Sequence, residues 1–319
     1  MTIYDVFNGD ADGICALLQL RHAEAVESQL ITGVKRDIKL LTQVDAGQGD
    51  RVNVLDVSMD KNKADLVRIL DAGASVFYCD HHVAGDIPTH TNLSALINPA
   101  ADVCTSLLIN GHLKGAFSRW AIVGAFGDNL KNSAQALART VDLTNEQVTL
   151  LENLGIYINY NGYGASLSDL HFEPVDLYRL LLRYSDPLDF ITDDAVHFSQ
   201  LESGYQDDMA KAQSSDTLRQ TPHSAAFLLP NEKWARRVSG VYGNDLANQH
   251  PERAHAVLTS RPDHTFLVSV RAPLNNKVDA DTLCMEFPTG GGRKAAAGIN
   301  ALPAAMLDQF LDRLDSLYR

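Results

Sequence analysis

Four short segments rich in aspartate and histidine carry the side chains that could do chemistry: residues 8–13, 55–58, 80–82 and 127–129. Asp-x-Asp triplets occur by chance in a chain with this much aspartate, but consecutive Asp80, His81 and His82 form a much rarer combination. Carboxylates and imidazoles together suit Mn²⁺. Two such ions, about 3.5–4 Å apart, lower the pKa of a water and hold a phosphoryl oxygen. The segments therefore indicate metal-dependent phosphoester chemistry without a covalent nucleophile.

The first three segments each follow a predicted strand. Apolar runs predict strands at 2–7, 52–57 and 75–79, and periodicity predicts helices at 13–24 and 60–72. The second helix has Asp60 as its expected N-cap and Gly73 as its stop. Strands that alternate with helices form a doubly wound parallel sheet, which binds ligands at the carboxyl ends of its strands. We therefore expect an α/β fold in which the four segments meet in one crevice.

Each residue of this constellation has an ordinary structural role as its alternative. The aspartates could be helix caps, and the histidines could lie in a surface loop. The residues concerned are Asp10, Asp12, Asp56, His81, His82 and Asp128. Their combination at strand ends favours a shared site over these separate roles.

The remainder of the chain predicts a helical region, a linker and a second, smaller α/β domain. Helices are expected at 144–160, where Thr144 and Gln147 form a start signal, and at 174–184 and 192–218. Strands at 254–259 and 266–271 and a helix at 304–317 belong to the second domain. We expect a first domain at 1–190, a helical linker at 191–221 and a second domain at 222–319.

Charge is distributed unevenly, with a net charge of −14 in residues 1–221 and +1 in residues 222–319. An acidic surface disfavours binding to long nucleic acids, which needs basic residues, but it permits a carboxylate-rich cation site. No apolar run approaches the roughly 18 residues of a transmembrane helix, and the first residues lack a signal-peptide pattern. The four cysteines include no CxxC pair. We expect a cytoplasmic protein that binds neither long nucleic acids nor membranes; a homodimer is left open.

The four segments resemble the motifs of the DHH phosphoesterase family, and Asp80, His81 and His82 match the motif that names it. The resemblance implies two Mn²⁺ ions per site, with Mg²⁺ or Co²⁺ as substitutes. The implied metal ligands are Asp10, Asp12, Asp56, His81 and Asp128, with Asp56 as the bridge. Asp12 and Asp56 would help to activate the water, His82 would act on the scissile phosphate or the leaving group, and Asp80 would orient a histidine.

The first motif departs from the family pattern at two positions. Many members have a histidine four residues before the first aspartate, where this chain has Val6. Others have aspartate or histidine two residues before it, where this chain has Asn8. An amide oxygen can bind Mn²⁺ but contributes no charge, so Asn8 is left open as a ligand.

Residues 286–298 resemble the DHH-associated domain of that family. Glycines let backbone N–H groups approach an anion closely; a flexible loop is the alternative. The family usually has histidine at the position of Arg293, whose guanidinium is a permanent charge that matches phosphate. The residues expected to bind the far phosphate or base are Arg271, Gly290, Gly291, Gly292, Arg293 and Lys294.

Thr105 and Ser106 follow the third motif, where hydroxyls of the family face the site, so both are expected to contact phosphate. A helix start capped by Asp102 is the alternative.

The resemblance implies Mn²⁺-dependent hydrolysis of short linear oligonucleotides to 5′-mononucleotides. Dinucleotides such as pGpG, which is left when cyclic di-GMP is opened, are the favoured substrates. The length of 319 residues and the second domain match the short, nanoRNase-like members. Three alternatives stay open: a degenerate member that binds nucleotide or metal without turnover, a RecJ-like single-strand exonuclease, and a phosphatase for 3′-phosphoadenosine-5′-phosphate.

Overall fold

The computed structural model describes all 319 residues, which divide into two compact units, Met1–Gly204 and Tyr205–Arg319. The division lies within the segment predicted as a linker. Each unit has its own sheet.

The first unit contains five strands and nine helices, the last of which extends past its boundary. The strands are β1 (Ile3–Phe7), β2 (Gln29–Ile31), β3 (Arg51–Leu55), β4 (Ser75–Asp80) and β5 (Leu93–Ile97). The helices are α1 (Ala11–Ala23), α2 (Met59–Asp71), α3 (Thr105–His112), α4 (Ser118–Gly127), α5 (Lys131–Ala138), α6 (Asn145–Asn161), α7 (Pro174–Leu181), α8 (Pro187–Asp193) and α9 (Ala195–Gln213).

The five strands form a parallel sheet in the order β2-β1-β3-β4-β5. Side chains of a strand alternate between the two faces of its sheet. Val52 and Val54 of β3 share a core with α2, whereas Asn53 belongs to the opposite face, where its neighbour Asp5 binds Arg21 of α1. Helices therefore cover both faces, which confirms the predicted doubly wound α/β architecture.

Helix α4 lies in the interior of the unit, with every residue from Trp120 to Gly127 buried. Glycine permits its close approach to α6, since a Cβ on Gly127 would lie 2.7 Å from the carbonyl oxygen of Gly155. This packing fixes the carboxyl end of α4, where Asp128 follows.

Two of the predicted helix starts have different outcomes. Thr144 and Gln147 form the reciprocal capping box at the start of α6, as predicted. The N-cap prediction for Asp60 is wrong, because α2 begins at Met59 and the N-cap position is Ser58. Asp60 lies in the first turn, where a negative charge complements the helix dipole without capping it.

The second unit contains a six-stranded mixed sheet in the order β10-β11-β9-β8-β7-β6, in which only β7 and β8 pair in parallel. The strands are β6 (Asp216–Gln220), β7 (Ser224–Leu229), β8 (Ala254–Ser260), β9 (Thr265–Arg271), β10 (Gly290–Arg293) and β11 (Ala296–Pro303). The helices are α10 (Lys233–Gln249), α11 (Ala280–Met285) and α12 (Leu307–Leu317). The core joins one face of the sheet to α11 and α12.

Two segments expected to be helix or loop are strands instead. The helix predicted to reach residue 218 ends at Gln213, and β6 follows as an edge strand. Leu218 packs against the core there, and Arg219 forms an ion pair with Asp312, so tertiary contacts outweigh helical periodicity. The glycine segment is likewise the edge strand β10, paired with β11, rather than a loop.

No helix combines the length and apolar character needed to cross a membrane. All four cysteines are buried and unpaired.

Candidate metal centre

Three carboxylates and one imidazole converge where the strands of the first sheet end. His81 follows β4, Asp56 follows β3, and Asp12 and Asp128 come from α1 and the end of α4. The Nε2 atom of His81 lies 3.4 Å from Asp56 Oδ1, 3.8 Å from Asp128 Oδ2 and 3.9 Å from Asp12 Oδ2. A cavity of about 350 Å³ opens onto His81, Asp56 and Asp128.

The orientation of His81 directs a lone pair toward these carboxylates. Its Nδ1 lies 3.0 Å from the carbonyl oxygen of Val103 and donates the ring proton there. In the neutral ring Nε2 is then an acceptor that faces carboxylate oxygens, an arrangement that suits a cation between them. The nitrogen and carboxylate donors fit a divalent ion such as Mn²⁺.

Asp12 is held by the first turn of α3. Its Oδ2 accepts the backbone N–H of Thr105 at 2.7 Å, and its Oδ1 accepts the N–H and the hydroxyl of Ser106 at 2.7 and 2.6 Å. Asp12, Thr105 and Ser106 are all buried. The helix N-terminus thus fixes the carboxylate by charge-assisted hydrogen bonds.

Asp56 occupies an unusual position for a carboxylate. It is buried, and its φ of 57° lies in the left-handed region that a non-glycine residue rarely adopts. Burial, followed by the charges of Asp12, Asp10, Asp80 and Asp128, raises the pKa of Asp56 well above its ordinary value. The fold therefore holds this side chain where its negative charge is costly without a cation.

Asp128 shares this electrostatic environment. Burial raises its pKa to about 7, with further contributions from Asp12 and Asp10 that outweigh the opposite effect of His81 and Lys35. Two groups of ligand atoms come close enough together to hold an ion: Asp56, His81 and His82 in one, and Asp12, His81 and Asp128 in the other. His81 belongs to both groups.

His82 is oriented by Asp80. The Nδ1 of His82 lies 2.7 Å from Asp80 Oδ1, and Asp80 is buried whereas His82 is half exposed at the cavity. This hydrogen bond raises the pKa of His82 despite its partial burial. The second oxygen of Asp80, Oδ2, has no hydrogen-bond partner.

Asp10 and Asn8 also line the cavity. Asp10 is the N-cap of α1, and its Oδ1 accepts the N–H groups of Asp12 and Gly13. Its Oδ2 accepts from the Nζ of Lys35 at 2.5 Å. Burial raises the pKa of Asp10, but Lys35 and these hydrogen bonds outweigh it and lower the pKa overall. Asn8 Oδ1 is buried without a partner.

The predicted substrate-binding residues of the second unit lie on its sheet, except Lys294, which lies in the turn between β10 and β11. Cross-strand pairing aligns Arg271 of β9, Ala296 of β11 and Arg293 of β10 in one row, so these side chains share a face. The guanidinium of Arg271 donates to Asn244 Oδ1 at 2.6 Å and to Ser269 Oγ at 2.9 Å. Arg293 and Lys294 are exposed and form no ion pair.

Gly290 and Gly292 are required by close packing. A Cβ on Gly290 would lie 1.8 Å from the carbonyl oxygen of Cys284, and Gly292 has a φ of 146°. A Cβ on Gly291 would meet no atom within 4 Å, and Gly291 pairs with Gly298. The outer edge of the sheet therefore carries a glycine-lined surface beside Arg293.

Solved structures with a similar fold include RecJ exonucleases and a further DHH domain. Exonuclease RecJ bound to manganese has a TM-score of 0.65 and 17% identity, covering 99% of this chain and 89% of that one. The DHH domain of a protein assigned to a family of ribosomal proteins has a TM-score of 0.64 and 13% identity, covering 99% and 86%. RecJ from Thermus thermophilus in complex with Mn²⁺ has a TM-score of 0.64 and 18% identity, covering 99% and 52%.

The chain has a DHH-type fold. No protein-family model and no curated protein matches it in sequence. In this DHH-type fold, the four sequence motifs reach one cavity of the first unit, three of them from strand ends as expected and the fourth from the end of α4. The roles assigned to the individual residues stay predictions.

The structure places several predicted residues differently from their expected surroundings. Thr105 and Ser106 are enclosed by protein and donate to Asp12, so contact with phosphate stays a prediction. Asp102 is not the cap of α3, because Cys104 holds that position. Sequence reasoning missed Lys35, because it belongs to no motif. Its one distinguishing feature is its place in the turn after Gly33, where the N–H of Val34 donates to Asp37.

Proposed function

We propose that this chain is a metal-dependent phosphodiesterase that hydrolyses short linear oligonucleotides to 5′-mononucleotides. The observation that carries the proposal is the convergence of the Asp12, Asp56 and Asp128 carboxylates on the Nε2 atom of His81. The similarity to RecJ bound to manganese supports the choice of phosphoester chemistry and of Mn²⁺. A dinucleotide such as pGpG is the substrate that we favour.

The ion supplies Lewis acidity, lowering the pKa of water and polarising a phosphoryl oxygen. The protein holds the carboxylates in place before any ligand arrives, since α3 fixes Asp12 and a left-handed backbone fixes Asp56. Such fixed positions lower the reorganisation needed in the transition state.

His82 is suited to protonate the leaving oxygen. Its Nδ1–H donates to Asp80 Oδ1, and this carboxylate favours the protonated ring, whose Nε2–H is then available to a group in the cavity. As water adds to phosphorus and gives a proton to a carboxylate of the site, the bond from phosphorus to the 3′-oxygen breaks, and the Nε2 proton passes to that oxygen. The products are two 5′-mononucleotides when the substrate is a 5′-phosphorylated dinucleotide.

The second unit offers a separate surface for anions. Arg293 and Lys294 are exposed without acidic partners, and Gly291 leaves open space beside them. A guanidinium can grip phosphate through two parallel hydrogen bonds. This surface would select substrates that carry a second phosphate or a base at a distance from the scissile bond.

A RecJ-like exonuclease acting on long single strands is the second candidate, because two RecJ structures share this fold. The net charge of −14 in residues 1–221 weighs against it, since binding along a strand depends on a basic groove. The same charge does not exclude a substrate of two nucleotides, whose few phosphates need few cationic partners.

Incubation of the purified protein with Mn²⁺ and pGpG tests the proposal. We expect GMP as the only nucleotide product, loss of turnover when the metal is chelated, and its return on adding Mn²⁺. The variant Asp56→Ala should be inactive. The matched control is Asp60→Ala, which removes a nearby carboxylate that lies in the first turn of α2 and should retain activity.

Parallel reactions separate the alternatives. Turnover of 3′-phosphoadenosine-5′-phosphate but not of pGpG would replace the substrate while keeping the metal centre. Binding of Mn²⁺ and pGpG without hydrolysis would show a degenerate member. An active Asp56→Ala protein would contradict the mechanism.

A further inference from the structure

The ammonium group of Lys35 lies beside Asp10 at the cavity that the predicted metal ligands line. Its Nζ lies 2.5 Å from Asp10 Oδ2 and 2.9 Å from Asn159 Oδ1, and it sits 5.6 Å from the centroid of the Tyr163 ring. Its backbone N–H donates to the carbonyl oxygen of Gly162 at 2.8 Å. The ammonium is therefore fixed from several directions, rather than carried on a mobile surface side chain.

Asp10 differs from Asp12, whose two carboxylate oxygens are also engaged by the protein, in having a cationic partner. Oδ1 caps α1 through the N–H groups of Asp12 and Gly13, and Oδ2 accepts from Lys35. Both groups of ligand atoms that come close enough to hold an ion leave Asp10 out, and both depend on His81, whose one free lone pair can ligate one ion at a time. A buried carboxylate with a bound ammonium already has its counter-charge and does not require a metal ion.

Asn8, which lines the same cavity as Asp10, contributes no negative charge. Its amide oxygen is buried without a partner, so it can accept a hydrogen bond or weakly ligate an ion. It adds no charge to offset the repulsion that a second divalent ion would experience from the ammonium beside Asp10. Charge and contacts together make the part of the cavity beside Asp10 a poor cation site.

We propose that the Lys35 ammonium takes the place of one of two divalent ions, so that the centre binds a single ion among Asp12, Asp56, His81 and Asp128. The inference rests on the proposed function, because it assumes a divalent ion at this set. Two N–H bonds of Lys35 are accepted by protein oxygens, and the third is available to a non-bridging phosphate oxygen. Lys35 would then neutralise the substrate where a second ion is absent.

The number of bound ions tests this directly. The purified full chain is dialysed to equilibrium against Mn²⁺, and manganese is counted by elemental analysis against protein concentration. We expect one ion per chain, with the electron paramagnetic resonance spectrum of an isolated Mn²⁺ rather than of an exchange-coupled pair. Two coupled ions would overturn the inference and leave the metal-dependent function standing. No bound ion would overturn both.

Variants then assign the ion count to Lys35. Lys35→Met combined with Asn8→Asp frees Asp10 and adds a carboxylate, so we expect two ions per chain. Asn8→Asp alone should still bind one, because the ammonium remains. Two ions in the single variant would show that Asn8, not Lys35, limits the count and would overturn the proposal.

Lys61→Met is the matched control. Lys61 lines the same cavity, but its Nζ lies 2.9 Å from Asp60 Oδ2 and does not contact Asp10. We expect this variant to keep one ion per chain. Circular dichroism checks that each variant is folded, and the wild-type count decides the question even if Lys35→Met is unstable.

Discussion

Gly124→Ala should disturb the metal centre from a position outside it. A Cβ at this residue of α4 would lie 2.1 Å from Ser106 Oγ and 2.7 Å from Ser106 Cβ. Rotating the hydroxyl cannot relieve the second contact, so α3 must move relative to α4. Because Ser106 holds Asp12 through its N–H and its hydroxyl, that movement displaces a predicted metal ligand.

The expected magnitude follows from two opposing effects. Overpacking costs about 1–3 kcal/mol, whereas replacing glycine by alanine within a helix contributes about 1 kcal/mol of stability. Gly111→Ala in α3 is the control, since a Cβ there meets no atom within 4 Å. The difference in unfolding free energy between the two variants should therefore be about 1–3 kcal/mol.

Urea unfolding measures the stability difference, and titration calorimetry with Mn²⁺ measures the metal affinity. We expect Gly124→Ala to bind Mn²⁺ at least about tenfold more weakly than the wild type, as when groups that orient a ligand are lost. Gly111→Ala should bind as tightly as the wild type. If Gly124→Ala matched Gly111→Ala in stability and the wild type in affinity, the coupling of α4 to Asp12 through Ser106 would be refuted.

Two further predictions concern the second unit. His255 is buried without hydrogen bonds to either ring nitrogen, and burial, with Arg253 and His250, lowers its pKa to about 4. The unfolded chain takes up this proton near pH 6.5, whereas the folded chain does so near pH 4. The free energy of unfolding should therefore fall by about 3 kcal/mol from pH 7 to pH 4. His255→Met should remove that loss in urea unfolding, and exposed His223→Gln should keep it; equal pH slopes in all three proteins would refute the assignment. Arg293→Met should raise the KM for pGpG about tenfold or more, with little change in kcat, since charge-assisted hydrogen bonds contribute about 1.5–3 kcal/mol. Lys277→Met removes the charge of an exposed lysine and should not change KM. An unchanged KM in Arg293→Met would remove the surface around Arg293 from the substrate site.

The sequence was sufficient to predict the parallel sheet and the meeting of the four segments at one cavity. Buried parallel strands are rich in apolar residues, as in β3 and β4, and Asp56 and His81 are the first residues after these strands. Residues at the ends of neighbouring parallel strands must come together, so their convergence needed no knowledge of the loops.

Contacts between distant segments could not be predicted in the same way. Lys35 contacts Asp10, which is 25 residues away in the sequence, and Asn159 of α6, which is 124 residues away. No local pattern encodes either contact. Thr105 and Ser106 were recognised as residues of the site, but the fold directs them to Asp12.

Edge strands were the other source of error. β6 and β10 are short and lie at the two edges of the second sheet. Each pairs with one neighbouring strand, and this pairing determines its extended conformation. Three consecutive glycines in β10 carry no strand propensity, and β11 imposes the extended conformation.

A length series measures the central claim most directly. The protein and Mn²⁺ are given 5′-phosphorylated oligoribonucleotides of two to seven residues, including pGpG, and release of mononucleotides is followed over time. Rapid cleavage confined to the shortest substrates is the result that the account predicts. Equal rates at every length, or cleavage that improves with length, would contradict it and favour an exonuclease on longer strands.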